Sequence, residues 1–248
     1  MRSFFDPSAP VLTPADLVLA FTGAAPEALL LPRRAVIVFT PADLGQLVRG
    51  TRAEPVPVWL PFKRLYRPRG KETVLAQSRV GGPAVAALVE ELAAFGVREF
   101  CLWGYCGGIS ANVSVGDIIL ATSAFREEGV SFHYLESEDE LVGSKWAAQW
   151  ELPSRKTRIL AGPVWTCDAL YRETAEKVAR YAERGVLGVE MEVASFYAVC
   201  TQKGLKAAAF LVVSDVVRPS GWKSGFKGTQ LQKGTARLSA YIRKYVLA

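Results

Sequence analysis

The sequence is poor in the residues that metal and disulfide chemistry need. Its 248 residues include one histidine, His133, and four cysteines, Cys101, Cys106, Cys167 and Cys200. No two cysteines form a CxxC pair, and His133 has no second histidine to join it, so the usual structural zinc patterns are excluded. Four scattered cysteines in a chain of this length read as free, mostly buried thiols. No apolar run approaches the ~18–20 residues that span a bilayer. The opening MRSFFDPSAP lacks the apolar stretch of a secretory signal, which favours the cytoplasm. GxGxxG and the Walker GK[ST] are both missing, so neither common nucleotide-phosphate loop is expected. The net charge of +6 comes without any long basic run. Its densest clusters, RPRGK and WKSGFKG, read as solvated surface rather than a nucleic-acid or membrane patch.

What is present is an alternation of short apolar runs with helical patterns, without repeats or linkers. Residues 1–248 are expected to form one domain. AVIVFT (35–40), TVLAQS (73–78), REFCLWG (98–104), VGDIILAT (115–122), TRILAGPVWT (157–166) and KAAAFLVVSD (206–215) read as strands. Pro83 to Gly96 reads as a helix with both ends marked. Further helices are expected over 174–185, from 193 to near Gly204, and over roughly 229–245. Strands separated by helices predict an α/β protein with a largely parallel or mixed sheet. In such sheets ligands bind beyond the carboxyl ends of the strands. Three segments fall at such ends: GYCGGIS, read as a glycine-rich turn, then VEME and SD.

Those segments carry acids in apolar company. Glu190 and Glu192 flank Met191, and burying a carboxylate is costly unless something pairs with it. Residues two apart diverge, so one acid can be structural while the other faces a crevice and grips a vicinal diol. The plain alternative is a helix N-terminal acid satisfying backbone amides. Asp215 ends an apolar strand, where it is either a proton carrier at a crevice edge or a cap. GYCGGIS either cradles an anion with its amides or simply turns the chain.

Taken together, RVGGPAVAALVEELAAFGVREF, GYCGGI, VGDIILATSAFREEGVSFHY, WTCDALYRE, VEMEVASFYAV and VVSD resemble the nucleoside phosphorylase/nucleosidase family, in its order, from Arg79 to Asp215. The resemblance implies a three-layer α/β/α fold around a mixed, partly barrel-like central sheet. It implies a homo-oligomer, a small-molecule nucleoside as substrate, cleavage of its N-glycosidic bond, and no cofactor. By the same resemblance Glu192 holds the ribose hydroxyls, Met191 packs on the sugar and Glu190 supports them. Asp215 protonates a departing purine-type base. Leu170, in the loop with Asp168, lies against that base. Gly104, Tyr105 and Gly107 belong to the family's glycine-rich substrate-binding loop. His133 either approaches the sugar or is a bonded core residue, and Trp222 lines the base pocket or packs a lid. Phe4 and Phe5 either reach a neighbouring subunit's site or form a loose tail.

The pattern departs from the family where phosphate would bind. In place of a GDPxR loop the chain has VFTPADL, with Phe39 for the glycine and Asp43 for the arginine. Leu102 replaces a second arginine and Tyr105 a small hydroxyl residue. Losing two guanidiniums removes the paired, charge-assisted bonds that phosphate takes. This favours water as acceptor, with Asp43 as general base. The alternatives are phosphate held by Lys223, Lys227, Arg218 or Arg126, and a binding protein without catalysis.

Overall fold

A computed structural model describes residues 4–136, 138–150, 152 and 158–247. Among these, eleven strands form one mixed sheet. They are β1 (Arg34–Val38), β2 (Glu54–Pro55), β3 (Leu65–Arg67), β4 (Thr73–Gln77), β5 (Glu99–Gly108), β6 (Ile118–Glu127), β7 (Leu141–Gly143), β8 (Ile159–Cys167), β9 (Gly188–Glu190), β10 (Lys206–Arg218) and β11 (Gly221–Ser224). The helices are α1 (Pro14–Thr22), α2 (Pro41–Thr51), α3 (Gly82–Ala94), α4 (Ser131–Tyr134), α5 (Lys145–Ala148), α6 (Ala175–Glu183), α7 (Val193–Gln202) and α8 (Thr229–Tyr241). The last runs on into a wider turn over Ile242–Val246. The strand expected over 157–166 starts at Thr157, which lies outside the described residues.

The sheet is part open and part closed. β5 pairs in parallel with β10 along its length, and with β1 over its first half. β10 pairs with β6, β6 with β8, β8 with β9, and β9 returns to the end of β5. Five strands therefore close into a barrel, while β1, β4, β3 and β2 continue as an open sheet. β1, β5 and β10 are buried almost throughout, as central strands covered on both faces must be. α1, α3 and α7 pack as one group, and α2 touches α8, so helices cover the sheet as the three-layer expectation requires.

Two local readings are corrected. GYCGG is the second half of β5, not a turn. Glycine serves there because a Cβ on Gly107 would stand 2.8 Å from Val217 Cγ2, and one on Gly108 2.8 Å from Val113 Cγ2. Glycine inside a strand marks close approach as often as a bend. VFTPADL is likewise not a loop throughout. Thr40 caps α2, its hydroxyl accepting from the Asp43 amide at 3.1 Å, and Pro41 takes the first turn. All four cysteines are buried and free, as expected.

Tyr197 on α7 fastens the barrel to its helix. Its buried hydroxyl donates to the Ala121 carbonyl on β6 at 2.5 Å and accepts from the Ala209 amide on β10 at 3.1 Å. Tyr197→Phe leaves both backbone groups unsatisfied. It should lower unfolding stability by about 1–3 kcal/mol in urea titration. A loss near zero would mean that the barrel seam does not use this hydroxyl.

Candidate active site

β5, β9 and β10 meet at one edge of the barrel, and the expected acids stand there. The ladder between β10 and β5 shifts register between Val213 and Asp215, so Ser214 and Asp215 together face the Gly107 position. Such a bulge re-aims the side chains that follow it. Asp215 Oδ1 accepts from the Ser214 hydroxyl at 2.6 Å, and Oδ2 accepts from the Trp222 indole N–H at 2.8 Å. Asp215 is thus not at the end of its strand, as the sequence suggested. β10 continues to Arg218 and turns back as β11, which carries Trp222.

On the other edge of β5, Gly107 pairs with Val189, the residue before Glu190. Burial pushes the Cys106 thiol well above its usual range, and the charges of Glu190 and Asp215 push it the same way.

The two glutamates divide their tasks. Glu190 Oε1 accepts from Thr166 Oγ1 at 2.5 Å, and Oε2 from the amides of Glu192 and Val193 at 2.7 and 2.8 Å. Thr166 in turn accepts from the Ala194 amide at 2.9 Å. Glu190 is the structural acid, satisfying the orphan amides at the start of α7. Glu192 is the last residue before that helix and makes no side-chain bond to it; its Oε1 instead accepts from the Gly81 amide at 2.6 Å. Gly81, at φ +105°, has a backbone that side-chain-bearing residues rarely adopt. Burial raises both glutamates above the usual carboxylate range. Glu190 is raised further by the charge of Glu192, and Glu192 is drawn back by the Gly81 amide.

The remaining candidates fall around this edge unevenly. Met191 lies between the two acids and Gly104 is buried in β5. Leu170, beyond β8, is half exposed. Asp168 accepts from the Gly129 amide at 3.0 Å. His133 is exposed rather than a core residue, and Phe4 of the same chain stacks on it with ring centroids 5.1 Å apart. Asp43 is buried at 2% exposure and is held by its own surroundings. The Tyr105 hydroxyl donates to its two oxygens at 2.8 and 2.9 Å, and the Thr40 hydroxyl donates to Oδ2 at 2.5 Å. Burial raises Asp43 despite these bonds. Arg218 is committed to backbone, donating to the carbonyls of Gly108, Ser110 and Val113. A groove of about 440 Å³ lined by Leu44, Lys63, Arg64 and Arg79 runs beside α2, apart from the Asp215 edge.

Sequence reasoning missed Glu173. It follows the short turn Leu170–Arg172 and is half buried. Burial, and then the charge of Asp215, raise it to about 7. Its only sequence signal was its place at the end of WTCDALYRE. A carboxyl raised on folding stabilises the protein fully below its ordinary value of 4.5, and that contribution is lost as pH climbs to about 7. Glu173→Gln should therefore reduce the fall in melting temperature between pH 5 and pH 8, by roughly 2–4 °C if about 1 kcal/mol survives solvent screening. Parallel melting curves for both proteins would show that Glu173 does not sense the Asp215 charge.

Comparison with known proteins identifies the family. Guanosine phosphorylase of Halorubrum lacusprofundi is 35% identical over 148 residues, covering 58% of this chain and 61% of the relative. A DeoD-type purine nucleoside phosphorylase of Myxococcus xanthus is 33% identical over 152 residues, covering 59% and 64%. The chain thus matches less than two thirds of the length of these curated relatives. Uridine phosphorylase of Vibrio fischeri ES114 superposes with a TM-score of 0.73 at 20% identity, over 89% of this chain and 93% of that one, which shows the shared fold. Residues 33–247 match the sequence pattern of a single family, and with the barrel and its acidic edge in place the chain belongs to the phosphorylase superfamily.

Proposed function

We propose that the chain cleaves the N-glycosidic bond of a purine-type nucleoside, with water as the acceptor. The observation that carries this reading is the position of Gly107, with Asp215 facing it from β10 and the Glu190–Glu192 strand end beside it on β9. One nucleoside can then span both acids. Glu192 accepts from the sugar hydroxyls, and contacts that tighten as the ring flattens lower the barrier. As the C1′–N9 bond breaks, its electron pair passes to the purine, and N7 takes a proton that the Asp215 carboxyl relays from solvent. The water oxygen forms the new bond to C1′, and its proton goes to Asp43.

The corner where the family pattern would seat phosphate favours water. Here a buried carboxyl and a tyrosine hydroxyl hold each other. A carboxylate repels a dianion, while a buried carboxyl raised toward neutrality suits a base. Arg218, a cation named as an alternative phosphate ligand, is taken by three carbonyls. A second reading, transfer to phosphate, is favoured by the names of the curated relatives. It would have to draw on Lys223, Lys227 or Arg126, whose Nε is bonded to the Ser131 hydroxyl.

Incubation with inosine, adenosine and 5′-methylthioadenosine, with and without phosphate, separates the two. Free sugar formed equally fast without phosphate is expected. Sugar 1-phosphate would establish the second reading, and no product from any nucleoside would remove both. Asp215→Asn should lower kcat by about 10²–10⁴-fold. Asp43→Asn should do the same. If Asp43 only caps α2, the substitution will instead cost about 1 kcal/mol of stability and leave turnover intact.

A further inference from the structure

Trp222 is out of place by burial alone. Its ring is 60% exposed, and its nearest aromatic neighbour is the equally exposed Phe226, at a centroid distance of 6.0 Å. An exposed indole gains little from the hydrophobic effect. Yet its N–H reaches 2.8 Å to Oδ2 of Asp215, a carboxyl that is itself 9% exposed. The hairpin sets this up. Trp222 pairs with Val217, two residues beyond Asp215 on the same face of β10, so indole and carboxyl are diagonal neighbours. Ser214 holds the other oxygen at 2.6 Å. The oxygen that Trp222 holds lies 3.2 Å from the point where a Cβ on Gly107 would stand, so it is the oxygen turned over β5.

We infer that Trp222 is a positioning residue for Asp215, fixing the carboxyl over Gly107 in the orientation from which it meets the departing base. The inference rests on the glycosidic-cleavage reading above and adds to it a residue that acts through the acid. Two donors, one on each oxygen, leave the carboxyl a single rotamer. Without the indole, Ser214 alone would hold it, and rotation about the Cβ–Cγ bond would carry Oδ2 away from β5. The consequence is selective. Only a leaving group that needs a proton depends on where that carboxyl points.

The test compares two substrates in the full chain. Inosine leaves as a base that must be protonated, whereas 4-nitrophenyl β-riboside leaves as a stable phenolate. Trp222→Phe keeps an aromatic ring and removes the donor. It should lower kcat on inosine by roughly 10–100-fold, the worth of one charge-assisted bond, with KM changed much less. The loss on the nitrophenyl riboside should be at least tenfold smaller. Equal losses on the two substrates, or a loss confined to KM, would overturn the positioning role while leaving the cleavage reading standing. No cleavage of either substrate by the unaltered protein would overturn both. A readout independent of turnover is the ¹⁵N-labelled indole resonance that Trp222→Phe deletes. It should shift in Asp215→Asn, and an unmoved resonance would also overturn the inference.

Discussion

The carboxyl of Glu190 takes two amide protons at the start of α7 and the hydroxyl of Thr166 from β8. That cluster solves a problem on which the rest of the molecule depends. Two acids two residues apart enter a nearly water-free junction, and each unpaired charge there would cost several kcal/mol. Glu190 is neutralised by the helix it caps. The same bonds tie β8, β9 and α7 into one rigid corner. Glu192 takes the backbone amides of Gly81 and Met191, and the remaining capacity of its carboxyl is available to something else. Closure of the barrel then brings Asp215 to the same corner, because β5 is bracketed by β10 on one edge and β9 on the other.

The corner formed by Tyr105 and Asp43 bears the opposite relation to the family pattern. Elsewhere the chain keeps the acids of the family pattern, while here a carboxyl and a tyrosine hydroxyl bonded to each other stand where that pattern has an arginine and a small hydroxyl residue. The pair is internally satisfied, since Thr40 and Tyr105 supply the bonds that a buried carboxyl requires. On the proposed reading, the chain keeps the bond-breaking step and alters what completes it. In this sense the acceptor is a question about two side chains rather than about the fold.

Much of this was legible before the coordinates. The central strands are apolar runs bounded by turns, and α3 and α6 carry marked ends, so periodicity and capping placed them within a few residues. The family pattern picked out Glu190, Glu192 and Asp215; Glu190 ends β9 and Glu192 follows at the start of α7, while Asp215 lies inside β10 rather than at its end. Other features were not legible because they arise from contacts distant in sequence. The glycines of β5 read as a turn, since glycine usually punctuates. Only the packing of Val217 and Val113 shows why a strand needs them. The bond from Gly81 to Glu192 joins residues 111 positions apart, and no local pattern announces it. Glu173 looks like any surface glutamate until the barrel edge buries it beside Asp215. Trp222 was expected to line the base pocket or pack a lid, but its bond to the acid follows from hairpin register, which a single sequence does not fix.

The central claim is that one nucleoside bridges Glu192 and Asp215. The most direct measurement is a structure of the protein with a purine C-nucleoside, in which C1′ is bonded to carbon and cannot be cleaved. The account predicts the Glu192 carboxyl on the adjacent sugar hydroxyls, and the Asp215 carboxyl on the five-membered ring edge of the base. A nucleoside seated in the groove beside α2, or one that touches either acid without the other, would contradict it.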